Sequence, residues 1–207
     1  MQNKSSANAL QQTLKNSLLI LAIAATALSQ TGCFTLGVAG VAATALAADD
    51  RRSTGIYIED ENVEWKALGR VREVYKDVHF NATSYNLTVL VTGEAPSAKA
   101  RDEITQIVKN IPSVRMVQNE MQLAGATSIA SRANDALVTS NVKARLIGNG
   151  RVSPNHVKVV TESGTVFLMG IVSRAEGDAA SDIARTAAGV TRVVKVFDYV
   201  ADAPVAK

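Results

Sequence analysis

The sequence predicts an α+β protein built from two tandem copies of a small α-β-β-α-β domain, with the helices packed on one face of a three-stranded sheet. Three observations lead to this class. The chain has 207 residues and is 47% hydrophobic, which is enough for one ordinary core or two small ones. One stretch occurs twice, 77 positions apart. Each copy shows the same order of helical and strand patterns, so the repeat sets the architecture.

The repeat is clearest around the two histidines. Residues 79–93 (HFNATSYNLTVLVTG) match residues 156–170 (HVKVVTESGTVFLMG). After a slip of one position, residues 107–117 align with residues 183–193. The chain therefore contains the same unit twice.

Each unit begins with a helical pattern, which we predict at residues 60–75 and 134–147. Asn134 and Asp135 are suitable cap residues for the second of these helices. A β-hairpin follows, and in the second unit its strands are residues 156–161 and 165–170, joined by Glu162-Ser163-Gly164. In the first unit Leu87 replaces the glycine of this turn, so we expect a different turn geometry.

The second half of each unit contains one more helix and one more strand. The helix is predicted at residues 97–110 and 174–188, and the strand at residues 113–123 and 191–200. Helices at both ends of a small sheet pack on one face and leave the other to a partner or to solvent. The short connection at residues 124–128 would also allow one unit to pack on the other.

The N-terminus has the pattern of an export signal. Lys4 and Lys15 precede an apolar run at residues 18–28, which is shorter than the roughly 20 residues that span a bilayer. Residues 29–33 (SQTGC) then resemble a lipobox, in which Cys33 receives a diacylglyceryl group and becomes the mature N-terminus. Gln30 departs from that pattern, where leucine is usual. Phe34 lacks the aspartate that marks inner-membrane retention, which favours the outer membrane.

Two alternatives for this segment remain open. Residues 18–48 could form one uncleaved membrane helix, although glycines within the run weaken it. Residues 45–47 (ALA) could be an ordinary cleavage site. The predicted organisation is a signal peptide at 1–32, a lipidated linker at 33–58, domains at 59–123 and 131–200 separated by a linker at 124–130, and a tail at 201–207.

Charge and cysteine content exclude several classes of function. From Cys33 onward the chain has 20 basic and 19 acidic residues, so no global basic field points to a nucleic acid partner. Residues 59–123 contain 8 basic and 10 acidic residues, whereas residues 131–207 contain 10 and 7, which makes the second half the better partner for anions. A single cysteine excludes an intramolecular disulfide and a cysteine metal cluster.

Taken together, the two α-β-β-α-β repeats, the signature GTVFLMG at residues 164–170 and the lipobox resemble the BON-domain family, and within it the dual-BON outer-membrane lipoproteins. Further matching stretches are residues 182–185 (DIAR) and 189–193 (GVTRV). The resemblance implies a role in outer-membrane integrity, enrichment at division sites, and binding of anionic phospholipid on the inner leaflet through the first helix of the second repeat.

Helical periodicity divides that helix into two sides. Val138, Val142 and Leu146 form the stripe expected to face the core, and Leu137 projects away from it. The predicted lipid-binding residues are the exposed apolar tip, the cations around it and their neighbours on the same helix: Leu137, Val138, Lys143, Arg145, Arg132 and Asn141. The alternative is an ordinary solvated helix face with one exposed leucine.

Other residue patterns are assigned no function. His79 and His156 occupy matching repeat positions, but with no further histidine or cysteine beside them we predict no metal site. Residues 49–52 (DDRR) are interpreted as a polar linker that could also contact headgroups. Trp65, Leu68 and Tyr75 fall on one side of the first helix and are expected in the core.

No nucleophile elbow, phosphate loop or paired-carboxylate motif occurs in the sequence, so we predict neither an enzyme nor a cofactor. The alternative to a phospholipid-binding module is a scaffold for outer-membrane assembly proteins, which would use the free sheet face of the first, more acidic repeat.

Overall fold

A computed structural model describes residues 50–125 and 128–201. The first repeat consists of α1 (Thr54–Val74), β1 (Phe80–Tyr85), β2 (Thr88–Ala95), α2 (Ala98–Lys109), β3 (Met116–Asn119) and β4 (Gln122–Leu123). The second consists of α3 (Ile129–Asn149), a 3-10 turn (Pro154–His156), β5 (Val157–Glu162), β6 (Thr165–Val172), α4 (Arg174–Arg185) and β7 (Arg192–Tyr199). The predicted α+β class with two α-β-β-α-β units is confirmed. Among these residues, no helix combines the length and apolarity needed to cross a membrane.

Both leading helices begin earlier than predicted. Ser53 and Ser128 are their N-caps, and each side chain accepts a hydrogen bond from the amide three residues on, at 3.3 and 3.2 Å. The prediction that Asn134 and Asp135 cap the second leading helix is wrong, because both residues lie inside α3.

The sheets have the same topology in both repeats. β1 and β2 pair antiparallel, as do β5 and β6, and the last strand of each unit runs parallel to the central strand. β7 pairs without a break, but the predicted single strand at residues 113–123 is interrupted at Glu120 and Met121. Glu120 N donates to Val91 O at 2.8 Å, and the buried Met121 side chain joins the core.

The two hairpin turns have the same geometry, so the expected difference is wrong. Asn86 and Leu87 have φ of 51° and 63°, and Ser163 and Gly164 have φ of 49° and 71°. Positive φ at both central positions defines a type I′ turn, which matches the twist of a hairpin. Leu87 therefore adopts a left-handed conformation that glycine adopts more readily.

Each repeat has its own core between helices and sheet. In the first, Val63, Ala67 and Val71 of α1 pack with Ile104 and Val108 of α2 over the central strand. In the second, α3 and α4 cover β5 and β6 in the same way. The prediction that helices occupy one face of each sheet is confirmed.

The opposite faces of the two sheets pack on each other. Tyr85 and Leu90 of the first repeat form one buried cluster with Phe167 and Met169 of the second. We call this surface the inter-repeat interface. Polar contacts cross it as well: Lys158 Nζ donates to Glu64 Oε1 at 2.8 Å and Asn86 Nδ2 to Asp198 Oδ2 at 2.8 Å. The free sheet face that a scaffold function required is therefore buried inside the protein.

Residues before α1 contact both repeats rather than forming a simple linker. Arg51 pairs with Glu176 of α4 through both of its terminal nitrogens, at 2.7 and 2.9 Å, and donates to Ile171 O at 2.9 Å. Arg52 pairs with Asp50 and Asp60 and stacks on Tyr85. These two cations are occupied by carboxylates of the protein, so they are not available to headgroups.

Candidate functional site

The inner side of α3 is anchored in the core of the second repeat. Val138, Val142 and Leu146 are 2%, 0% and 1% exposed, which confirms the predicted core-facing stripe. Val138 packs so closely on Gly189 that a Cβ added there would lie 2.6 Å from its Cγ2 atom. Val138 therefore cannot reach a lipid surface, and its inclusion among the lipid-binding residues is corrected.

A buried aspartate fixes the rotation of this helix. Asp135 accepts hydrogen bonds from Ser163 N and Gly164 N, both at 2.9 Å, and so holds the hairpin turn with its two carboxylate oxygens. Asp60 does the same in the first repeat for Asn86 N and Leu87 N, at 2.9 and 2.8 Å. Sequence reasoning missed this contact, because it interpreted Asp135 as a helix cap.

The outer side of α3 exposes three large aliphatic side chains. Leu137 is 66% exposed, as predicted, and Ile129 and Ile147 are 79% and 67% exposed. Ile129 and Ile147 are 18 positions apart, about five helical turns, so they lie on the same side of the helix. Ala133 and Ala144 are exposed between them. We call these five residues the apolar outer stripe.

Sequence reasoning found Leu137 but not its two isoleucine neighbours. Ile129 was assigned to the linker, and Ile147 stood at the last position of the predicted helix. The 18-residue spacing would have grouped them, but only once the helix is known to begin at Ile129.

Cations flank the apolar outer stripe on both sides. Arg132, Lys143 and Arg145 are exposed, as is Asn141. Arg145 donates to Thr186 Oγ1 at 3.0 Å, which positions its guanidinium beside α4. Within the described residues no ion pair involves Arg132 or Lys143. The one acidic residue of α3, Asp135, is buried with its carboxylate turned to the hairpin.

The equivalent surface of the first repeat differs. Trp65 on α1 is 71% exposed, so its predicted place in the core is wrong, whereas Leu68 and Tyr75 do pack against the core. Trp65 and the exposed Ile58 share their helix with Glu59, Glu61 and Glu73. The same helix also exposes Lys66, Arg70 and Arg72, so its outer face carries charges of both signs, whereas the charged residues exposed on α3 are all basic.

The two histidines do not come together. His156 Nδ1 lies 3.5 Å from Glu176 Oε1, on the carboxylate that also pairs with Arg51. His79 Nδ1 lies 2.8 Å from Glu94 Oε2 and 3.9 Å from Glu162 Oε1, at the edge of the inter-repeat interface. Repeat-equivalent positions thus have different surroundings. Cys33, the predicted lipidation site, lies outside the described residues.

Comparison with known proteins agrees with this architecture. The model of the BON domain family matches twice, at residues 66–125 and 134–201. The outer membrane lipoprotein DolP of Haemophilus influenzae is 36% identical over 184 residues, which cover 87% of this chain and 95% of that protein. A 21 kDa hemolysin of Actinobacillus pleuropneumoniae is 32% identical and covers 73% of this chain and 79% of its own.

More distant proteins also match. The osmotically-inducible protein Y of Escherichia coli is 28% identical, over 67% of this chain and 72% of that protein. Among solved structures, the C-terminal domain of CdsD of Chlamydia trachomatis is 13% identical, covers 68% of this chain and 67% of its own, and has a TM-score of 0.27. That score is too low to relate the two folds. The double family match and the near-complete alignment with DolP show that this chain belongs to the BON domain family and contains two BON domains.

Proposed function

We propose that this protein is a non-enzymatic outer-membrane lipoprotein, anchored through lipid on Cys33 and facing the periplasm, whose second BON domain binds anionic phospholipid. The lipid anchor and the outer-membrane location are supported by the lipobox pattern and by the similarity to DolP. The proposed role extends to outer-membrane integrity and to division sites. The observation that carries the binding function is the apolar outer stripe of α3 between exposed cations, of which Arg132 and Lys143 form no ion pair with any other described residue.

The physical chemistry of this surface suits the interface of an anionic bilayer. Each basic side chain near such a surface contributes about 1 kcal/mol, and each aliphatic tip that dips into the interface contributes a similar amount. Arg132, Lys143 and Arg145 supply the first contribution, and the stripe supplies the second. A sum of this size gives weak binding by the domain alone.

The proposed anchor makes weak binding effective. A lipid on Cys33 would hold the domain beside the bilayer. The concentration of headgroups around the domain would then be high without any new contact. The buried contacts of Asp135 and Val138 keep the stripe pointing outward, so the surface needs no rearrangement to bind.

Flotation with vesicles tests this function on residues 49–207, which form one compact unit without the apolar N-terminus. We expect enrichment on vesicles of phosphatidylglycerol and phosphatidylcholine, and little on phosphatidylcholine alone. Leu137→Glu should lower the bound fraction about fivefold or more, because it removes an apolar tip and adds a like charge to the lipid. Raising the salt concentration should weaken binding.

Trp65→Glu is the matched control. It makes the same kind of change at a similarly exposed position of the corresponding helix, whose outer face carries charges of both signs. Its binding should equal that of the unmodified protein. Equal losses for both variants, or no preference for the anionic vesicles, would contradict the proposal.

A further inference from the structure

A cluster of one histidine and two glutamates lies where the edges of the two sheets meet. His79 immediately precedes β1, Glu94 lies near the end of β2, and Glu162 ends β5 of the other repeat. One ligand atom from each residue falls within 4.8 Å of the other two. Glu94 and Glu162 are buried, at 3% and 5% exposure, and His79 is partly buried.

The electrostatics of this cluster favour an added positive charge. The carboxylates of Glu94 and Glu162 are both buried, and His79 Nδ1 lies 2.8 Å from the first and 3.9 Å from the second. Two carboxylates removed from water beside a single imidazole repel each other unless a cation lies between them.

The distances also fit a metal ion. Metal bonds to imidazole nitrogen and carboxylate oxygen are about 2.0–2.2 Å long, so ligand atoms of one site lie roughly 3–3.5 Å apart. The observed separations of His79 Nδ1 from the two carboxylates are 2.8 and 3.9 Å. Only small movements of side chains are needed to close around an ion.

We propose that His79, Glu94 and Glu162 bind one divalent transition metal ion, such as Zn²⁺ or Mn²⁺, across the inter-repeat interface. One nitrogen and two oxygen donors suit these ions, whereas Mg²⁺ and Ca²⁺ prefer oxygen alone. Water fills the remaining positions from an adjoining cleft of about 750 Å³, which His79 and Glu162 line. Arg72, Lys76 and Arg132 also line this cleft, but they are exposed and their charge is screened by water.

Asn81 serves as a positioning residue for the histidine. Its side-chain amide lies 3.2 Å from His79 Nε2 and donates to Glu162 Oε2 at 3.3 Å. When Nδ1 binds the metal, the proton that Nδ1 carried moves to Nε2 by way of solvent, and Nε2–H donates to the amide oxygen of Asn81 once that amide has turned over. Since Glu162 belongs to the second repeat and the other two ligands to the first, the ion would fasten the repeats together.

The test uses the full chain with Cys33→Ser in detergent, stripped with a chelator, so that neither lipid nor thiol takes part. Titration calorimetry with ZnCl₂ and MnCl₂ should give a stoichiometry of one ion per chain. Metal at 100 times Kd should raise Tm by about 5–10 °C. MgCl₂ at the same concentration should not.

Variants identify the ligands. His79→Gln and Glu162→Gln should each weaken binding at least tenfold and abolish the rise in Tm. His156→Gln is the matched control, because it changes the repeat-equivalent histidine. In the second repeat the position that corresponds to Glu94 is occupied by Ile171, which offers no ligand atom. The control should therefore leave the binding of metal intact.

Nuclear magnetic resonance of the histidine nitrogens gives a second reading that needs no variant. Zn²⁺ should move the signal of Nδ1 of one histidine and convert its Nε2 to the protonated form. An absence of binding by both ions, equal loss in the His156 control, or unchanged histidine signals on saturation with Zn²⁺ would overturn the proposal.

Discussion

Asp60 and Asp135 each hold a hairpin turn from a helix, although they are 75 positions apart rather than 77. An alignment that matches the two hairpins at a shift of 77 therefore places these aspartates two positions apart. For this reason the sequence alone did not identify them as equivalent. In both repeats the carboxylate accepts from two successive amides of a type I′ turn. Leu137, two positions after Asp135, is about 200° further around the helix and so faces solvent.

Asp135→Asn tests the contribution of this contact. An asparagine offers one acceptor oxygen, so one of the two turn amides would meet an N–H₂ group and lose its partner. We expect the free energy of unfolding to fall by about 1–3 kcal/mol, measured by urea denaturation. Asp182→Asn, on the exposed surface of α4, should change it by less than about 0.5 kcal/mol. If Asp135→Asn lowered the free energy of unfolding no more than Asp182→Asn does, the turn would not depend on the carboxylate.

At the level of elements, helix type and order could be predicted from apolar periodicity, but the starts of α1 and α3 could not. An Asn-Asp pair favours a helix cap by local propensity, and it resembles one at residues 134–135. The tertiary hydrogen bonds of Asp135 override that propensity and allow α3 to extend back to Ser128. Ile129 of the apolar outer stripe was missed for the same reason.

The first turn of α4 joins a capping box to an ion pair. Ser173 and Glu176 bond each other's backbone amides, and Arg51 holds the Glu176 carboxylate from outside. Burial would raise the pKa of Glu176, but Arg51 and the Ser173 amide outweigh it and lower the pKa from 4.5 to about 2. The ionised carboxylate therefore stabilises the fold fully above pH 4.5, and this contribution is lost as the pH falls toward 2.

Glu176→Gln should reproduce this pH dependence. At pH 7 the free energy of unfolding of the variant should be about 1–2 kcal/mol lower than that of the unmodified protein, because a charge-assisted pair is lost. The difference should shrink between pH 4.5 and pH 2, measured by urea denaturation across that range. In an Arg51→Gln background the same substitution should have a much smaller effect at pH 7. A difference that stays constant with pH would contradict the assignment.

At the scale of the whole molecule, the sequence already contained a sign that both sheet faces are covered. Strands with one exposed face alternate between apolar and polar residues, whereas strands covered on both faces are apolar throughout. Residues 166–169 (VFLM) of β6 have the second pattern. In the structure, all eight residues of β2 are buried as well. What the sequence could not supply is the identity of the covering surface, because contacts between residues about 80 positions apart leave no local pattern.

The inter-repeat interface predicts that the two BON domains unfold together. Leu90 is 1% exposed and packs with Phe167 and Met169 of the other repeat, so Leu90→Ala leaves a cavity shared by both. We expect a loss of about 2–4 kcal/mol. Hydrogen exchange of the β6 amides, in the repeat that carries no substitution, should accelerate by the factor equivalent to that loss.

Leu123→Ala is the control for this experiment, because Leu123 lies in the same repeat and is exposed. It should leave exchange in β6 unchanged. If Leu90→Ala accelerated exchange in the first repeat alone, the repeats would be independent folding units. A metal ion at His79, Glu94 and Glu162 would then have no cooperative interface to reinforce. If both repeats respond together, an ion at that edge should slow exchange in both sheets.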